Sequence, residues 1–284
     1  MAKFSLIGNP ISHSKSPALF KAAYGECEHT YTLLEAPTCK EAIHRFMEEG
    51  FTGSNVTSPF KDDVMEYISL PDRISSILGS ANTILLEDGK LHSWNTDYYG
   101  VQNTLLEQLG HNCKTKGCSN VSNSGACSAS ETAAHEASPV LLRADGTPLK
   151  ALVIGAGGAG KAAALAVKDM GMEVYFANRS SHAAKPFAQK IGAEYVGLEQ
   201  IPLLLEQTDL IVYNLSMLIP QLEEISLEDK IVFEANYAHP NLADKGAYKY
   251  IDGRYWLYNQ AIPAFRTFTS QEPCTAAMRE VMGL

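Results

Sequence analysis

The chain has 284 residues, of which 45% are hydrophobic and 19% charged, with a formal net charge of −9. That is ordinary globular composition at a length that suits two domains of unequal size. An acidic surface repels phosphate backbones, which argues against a nucleic-acid partner and leaves room for an anionic small substrate that answers to local charge.

In chain order, Phe4–Ile7 reads as a first β-strand that runs at once into a turn. The residues from Met1 to Gly8 lack the charged region, apolar core and cleavage site of a signal peptide. No apolar run approaches the roughly 20 residues that span a bilayer. A cytoplasmic protein without a membrane partner is expected, with free thiols at its six cysteines (27, 39, 113, 118, 127 and 274). The segment Gly8-Asn-Pro-Ile-Ser-His-Ser14-Lys-Ser16-Pro17 follows. Ser16 is in place to cap the helix Pro17–Tyr24. Capping leaves Ser14 unused, and hydroxyls beside a helix N-terminus suit a carboxylate or polyol.

Thr30–Leu34 reads as a strand, Lys40–Glu49 as a helix and Gly53–Val56 as a strand. The motif Asn55-Val-Thr57-Ser-Pro-Phe-Lys61 then predicts a helix from about Pro59, with Lys61 in its first turn. The macrodipole disfavours a cation there, which suits a lysine that gives up a proton. Ala81-Asn82-Thr83 and Asn95-Thr96-Asp97 place polar groups at strand ends, where open α/β sheets hold ligands. Between them Thr83–Leu86 and Lys90–Trp94, joined by Glu87-Asp88-Gly89, form a hairpin expected at the edge of the first sheet. Asp97 also fits the N-cap of a helix Tyr98–Leu109.

Residues 111–138 are rich in Ser, Asn, Ala, Thr and Gly without apolar period, far longer than the usual ~4–6 residue connection. They read as a polar insertion or loop. His111, Cys113, Cys118, Cys127 and His135 within it lack the paired knuckle of a zinc site, so no metal is expected.

Beyond the insertion, Ala151–Ile154 is a strand followed by Gly155-Ala156-Gly157-Gly158-Ala159-Gly160 and a helix Gly158–Met170. Gly155 allows the tight turn, Gly157 lets backbone approach a pyrophosphate, and Gly160 lets helix and strand pack closely. The next strand, Glu173–Ala177, ends at Asn178-Arg179-Ser180. An acidic residue there would bind a ribose 2′-hydroxyl; Arg179 instead suits a 2′-phosphate, with Ser180 or Ser181 as donor and Lys185 nearby. NADP is favoured over NAD. A helix Ser181–Ile191 and strands Leu210–Tyr213 and Ile231–Phe233 complete an alternation that implies parallel sheets with helices on their faces.

In this order S-H-S-K-S-P, N-V-T-S-P-F-K, A-N-T, N-T-D, G-A-G-G-A-G and N-R-S, followed by Tyr237 and Asn259-Gln260-Ala261, resemble the shikimate dehydrogenase family. The resemblance implies an α/β protein of two domains. The substrate domain would be residues 1–100, completed by C-terminal helices at 258–284. A Rossmann-type NADP domain would be 101–257, with the active site in the interdomain cleft. By the same resemblance Lys61 and Asp97 are the catalytic pair. Ser14, Ser16, Thr57, Asn82, Tyr237 and Gln260 hold the substrate, and Gly155 to Gly160 with Asn178, Arg179 and Ser180 hold NADP. The implied activity is reduction of 3-dehydroshikimate to shikimate by a monomer or homodimer. Quinate as substrate and a ligand-sensing homologue stay open as alternatives. One departure stands out: where the family has an Asn-Ala/Thr-Thr-x-x-Gly-Met loop near the nicotinamide, this chain has Asn214-Leu-Ser-Met217.

Overall fold

The computed structural model describes residues 1–25, 29–110 and 139–284, together with the backbone of Cys113–Lys114. His111, Cys118, Cys127 and His135, and the expectation of a polar insertion, lie outside the described residues. The chain divides into two compact units, Met1–Gly100 with Arg254–Leu284, and Val101–Gly253.

In the first unit the strands are β1 (Lys3–Gly8), β2 (Thr30–Glu35), β3 (Gly53–Val56), β4 (Leu70–Pro71), β5 (Thr83–Glu87) and β6 (Lys90–Trp94). They form one sheet in the order β2-β1-β3-β5-β6-β4. β1 runs parallel to β2 and β3, whereas β5 is antiparallel to both β3 and β6. The ends of β1, β3 and β6 and the start of β5 therefore share one end of the sheet. Sequence-distant motifs are gathered there: residues 9–16 after β1, 57–61 after β3, Asn82 before β5, and Thr96-Asp97 after β6.

Helices α1 (Ser16–Tyr24), α2 (Cys39–Glu48) and α3 (Arg73–Leu78) belong to this unit, and α4 (Thr96–Leu109) begins in it. Phe4, Phe20 and Tyr24 make a buried cluster with Phe265 and Phe268, and Phe4 stacks on Phe268 with centroids 4.8 Å apart. Each buried aromatic contributes roughly 1.5–3 kcal/mol, enough together to bring the end of the chain back onto the first sheet.

Three local expectations are corrected. The hairpin is not at the sheet edge, because Leu70 and Pro71 pair with His92 and Ser93 beyond it; a two-residue strand is too short to carry a period. No α-helix starts at Pro59. Lys61 lies in a turn ahead of a 3₁₀ helix at Asp63–Tyr67, and proline disfavours helical geometry in the residue before it. The helix-field argument for Lys61 therefore lapses. Ser16 is the first helical residue rather than the cap, which falls to Lys15 without a side-chain bond. Asp97 likewise lies inside the first turn of α4.

The second unit contains β7 (Cys113–Lys114) paired with β8 (Val140–Leu141), then β9 (Lys150–Ile154), α5 (Gly158–Asp169), β10 (Glu173–Ala177), α6 (Ser181–Ile191) and β11 (Glu194–Val196). It continues with α7 (Ile201–Leu205), β12 (Leu210–Tyr213), β13 (Ile231–Glu234) and β14 (Lys249–Asp252). Six strands form an all-parallel sheet in the order β11-β10-β9-β12-β13-β14. Counted from β9 this is 3-2-1-4-5-6, the dinucleotide-binding order. Residues 151–154 and 210–213 are fully buried and apolar, as parallel strands covered on both faces must be. The chain ends with α8 (Gly253–Thr269) and α9 (Thr275–Met282). Among the described residues no helix is long and apolar enough to cross a membrane.

Gly100 on α4 faces α8: a Cβ there would lie 2.7 Å from Gln260 Cβ and 2.7 Å from Trp256 Cδ1. Gly100→Ala is expected to destabilise the protein by about 1–3 kcal/mol through overpacking, read as a lowered urea midpoint at unchanged slope.

Candidate functional site

In the first unit the gathered loops place a cation, a carboxylate and several amides together. Lys61 Nζ donates to Asp97 Oδ2 in an ion pair whose side chains are 16% and 10% exposed. The Asp97 carbonyl accepts from Trp256 Nε1 at 3.1 Å, which ties α4 to α8. The Lys61 carbonyl accepts Ala81 N–H at 2.9 Å, so the turn carrying Lys61 is fastened beside Asn82.

Asn82 is buried, and its Oδ1 accepts from Thr96 N–H at 2.7 Å. Its Nδ2 donates to Gln260 Oε1 at 3.2 Å, and Gln260 Nε2 donates to Leu257 O at 3.2 Å. The Thr96 hydroxyl lies 3.1 Å from both Asn82 Oδ1 and Gln260 Oε1. Buried amides are costly unless partnered, and here each is held in one orientation. Ser16 N–H donates to Ser14 Oγ at 3.2 Å. Thr57 is half-buried against Gly8, where a Cβ would come within 2.4 Å of its methyl group. The structure thus joins Lys61 with Asp97, Asn82 with Gln260, and Ser14 with Ser16. Tyr237 stands in the second unit, in the loop after β13.

In the second unit the three fingerprint glycines occupy three different environments. Gly155 has φ +103°, a conformation that side chains rarely adopt, and its neighbours Asn214 and Leu215 crowd it. A Cβ at Gly160 would sit 1.8 Å from the Gly155 carbonyl, so only glycine lets α5 meet β9 this closely. At Gly157 a Cβ would meet nothing within 4 Å, and this N-cap has no side chain to occupy the first N–H groups of α5. An open backbone at an uncapped helix start fits a pyrophosphate. Asn178 braces the loop by accepting from Ala156 N–H at 3.3 Å and donating to Ser180 O at 3.1 Å. Arg179 and Ser180 are exposed at the end of β10.

Comparison with known proteins decides what these two sites belong to. Residues 6–84 match the model of the shikimate dehydrogenase substrate binding domain, and residues 143–238 match that of shikimate / quinate 5-dehydrogenase. A shikimate dehydrogenase (NADP(+)) of Halobacterium salinarum is 32% identical over 298 residues, covering 99% of this chain and 98% of that relative. The chain belongs to the shikimate dehydrogenase family. Among solved structures, the Thermus thermophilus shikimate 5-dehydrogenase in complex with NADP(H) and shikimate is 26% identical. It covers 100% of this chain and 99% of its own, with a TM-score of 0.72. A Corynebacterium glutamicum quinate dehydrogenase in complex with NAD shares the fold at a TM-score of 0.76 and 23% identity over 100% of this chain and 99% of its own. Asp97 and Gln260 lie outside both matched segments, and their geometry above stands independently of the matches.

The loop where this chain departs from the family pattern is anchored by a residue that the sequence did not single out. Tyr213 is fully buried; its hydroxyl donates to Met217 O at 2.6 Å and accepts Ile219 N–H at 3.2 Å. Burial pushes its phenol up to about 12. Thr96, Tyr31 and Trp256 were likewise given no role from sequence, since their partners are remote in the chain and no spacing rule signals them. Tyr213→Phe would leave the Ile219 N–H unpaired at a cost of about 1–3 kcal/mol. Faster hydrogen exchange at Ile219 and a lowered denaturation midpoint are expected.

Proposed function

We propose that the chain catalyses the NADP-dependent, reversible reduction of 3-dehydroshikimate to shikimate, in aromatic amino-acid biosynthesis. The observation that carries this reading is the Lys61–Asp97 ion pair fastened next to the buried amides of Asn82 and Gln260. NADPH, when bound, supplies the hydride that turns the ketone carbon into an alkoxide-bearing carbon. The Lys61 ammonium gives its proton to that developing oxygen, and in the oxidation direction the amine takes the hydroxyl proton. Asp97 holds the Nζ in one place and balances its charge, so the donor is positioned before substrate arrives.

The orientation of the amides sets what else the substrate meets. With their oxygens committed to Thr96 and to each other, Asn82 and Gln260 each keep one uncommitted N–H proton, suited to hydroxyl oxygens of a polyol. Ser14 and Ser16 are assigned to the substrate carboxylate, with Thr57 and Tyr237 as further substrate contacts. Gly155 to Gly160, including Ala156, Gly158 and Ala159, with Asn178, are assigned to the pyrophosphate side of NADP. Arg179 and Ser180, exposed at the end of β10, are assigned to its 2′-phosphate. The reading includes a cytoplasmic location and a monomer or homodimer.

Formation of NADPH followed with shikimate or quinate, and with NADP or NAD, tests the assignment directly. Turnover with shikimate and NADP is expected; turnover with quinate alone would replace the substrate. Lys61→Ala is expected to lower kcat by about 10²-fold or more while NADP affinity stays unchanged, and near-normal turnover in that variant would remove Lys61 from the mechanism. Arg179→Gln is expected to weaken NADP by about ten-fold and leave NAD nearly unaffected, in line with the loss of a charge-assisted bond to phosphate. Equal effects on both cofactors would place the 2′-phosphate elsewhere.

A further inference from the structure

Tyr31 enters the substrate side of the first unit from β2. Its ring stacks on Phe20 of α1, with centroids 4.3 Å apart and planes at 14°. Its hydroxyl donates to Asn55 Oδ1 at 2.8 Å. The direction of that bond is forced. Asn55 Nδ2 faces the Asn82 carbonyl at 3.2 Å and Thr83 Oγ1 at 3.1 Å, and a carbonyl only accepts. The Asn55 oxygen therefore meets Tyr31, and the single phenolic proton is committed to it. The hydroxyl of Ser16 also hydrogen-bonds this phenol, and it must do so as the donor. Burial holds the phenol well above its ordinary value, with Tyr24 adding to the effect and Ser16 opposing it, so the proton stays in place throughout the working pH range.

Packing accounts for the ring but not for the hydroxyl, since phenylalanine would stack on Phe20 equally well. The hydroxyl links two things that the sequence keeps apart: the Ser16 side chain after β1, and the amide web that runs from Asn55 to Asn82. Ser16 is buried, lies inside α1 and makes no capping bond. Without Tyr31 its hydroxyl would be free to turn among its staggered rotamers.

We propose that Tyr31 is a positioning residue for the carboxylate end of the substrate, acting through Ser16. The proposal rests on the reading of Ser14 and Ser16 as carboxylate contacts given above. Loss of the phenol oxygen lets the Ser16 hydroxyl rotate away from the orientation in which it meets the ligand, while Lys61 and Asp97 keep their geometry. The effect belongs in KM and not in kcat.

The test is a double-mutant cycle on the full chain, with steady-state kinetics in shikimate at saturating NADP. Tyr31→Phe is expected to raise KM for shikimate about three- to ten-fold, the range for one modest hydrogen bond, with kcat within about two-fold and KM for NADP unchanged. Ser16→Ala is expected to raise KM at least as much, and Tyr31→Phe in that background to add less than about two-fold. If Tyr31→Phe keeps its full factor in the Ser16→Ala background, or acts on kcat instead, Tyr31 does not work through Ser16 and the proposal is overturned alone. If Ser16→Ala leaves KM unchanged, the carboxylate assignment fails and the proposal fails with it.

Discussion

One hydrogen bond orients the substrate side of the first unit: the Thr96 backbone N–H to Asn82 Oδ1 at 2.7 Å. A backbone N–H can only donate, so it fixes which end of the Asn82 amide faces α4. The Nδ2 end is then turned to Gln260, whose oxygen accepts it and whose own Nε2 goes to Leu257 O. Neither amide can be reversed without opposing two donors or two acceptors in a buried place, at a cost of about 1–3 kcal/mol for each unpaired group. Because Thr96 begins the helix that carries Asp97, the same bond also registers the acid–base pair against the amides.

The glycine turn plays the corresponding part in the second unit. Gly160 meets the Gly155 carbonyl so closely that no Cβ fits, which draws the start of α5 onto the end of β9. That approach leaves Gly157 open and aims the unpaired N–H groups of the helix outward. A single substitution at Gly160 would act at a distance, by pushing back the helix start rather than by touching a ligand. The two units thus use opposite means to the same end: one site is fixed by saturating polar side chains, the other by removing side chains altogether.

The sequence revealed elements wherever the apolar period was long enough. The parallel strands of the second unit, all buried, read as apolar runs, and the strand–helix alternation predicted the sheet class. It did not reveal Leu70–Pro71, Glu194–Val196 or Lys249–Asp252, which have two to four residues and draw their definition from a neighbouring strand. The start of α8 at Gly253 was also unreadable, since Tyr255, Trp256 and Tyr258 carry no cap or breaker signal. Site residues were legible where a motif carried them, as with Lys61, Asp97 and the glycines. Tyr31 was not, because a tyrosine in a half-exposed strand reads as packing and its partner Asn55 lies 24 residues away.

The loop from Asn214 to Met217 shows how a departure from a family pattern can leave the local fold intact. It lacks the glycine of the family motif, yet its backbone is held at Met217 and Ile219 by the Tyr213 hydroxyl. On its other side Asn241 donates to the Leu215 carbonyl at 3.5 Å and, more firmly, to Glu234 at 3.0 Å. Glu234 is itself buried and takes bonds from Asn241 N–H, Leu242 N–H and the Tyr250 hydroxyl. Leu215 meanwhile presses on Gly155, where a Cβ would lie 2.9 Å from its methyl group. The substitution has therefore exchanged one constraint for another. Backbone freedom at a glycine is replaced by a loop pinned from the buried side, and its contact with the pyrophosphate turn is apolar. What this loop presents outward is Met217, 70% exposed, so the change falls on the surface offered to a ligand and not on the scaffold that carries it.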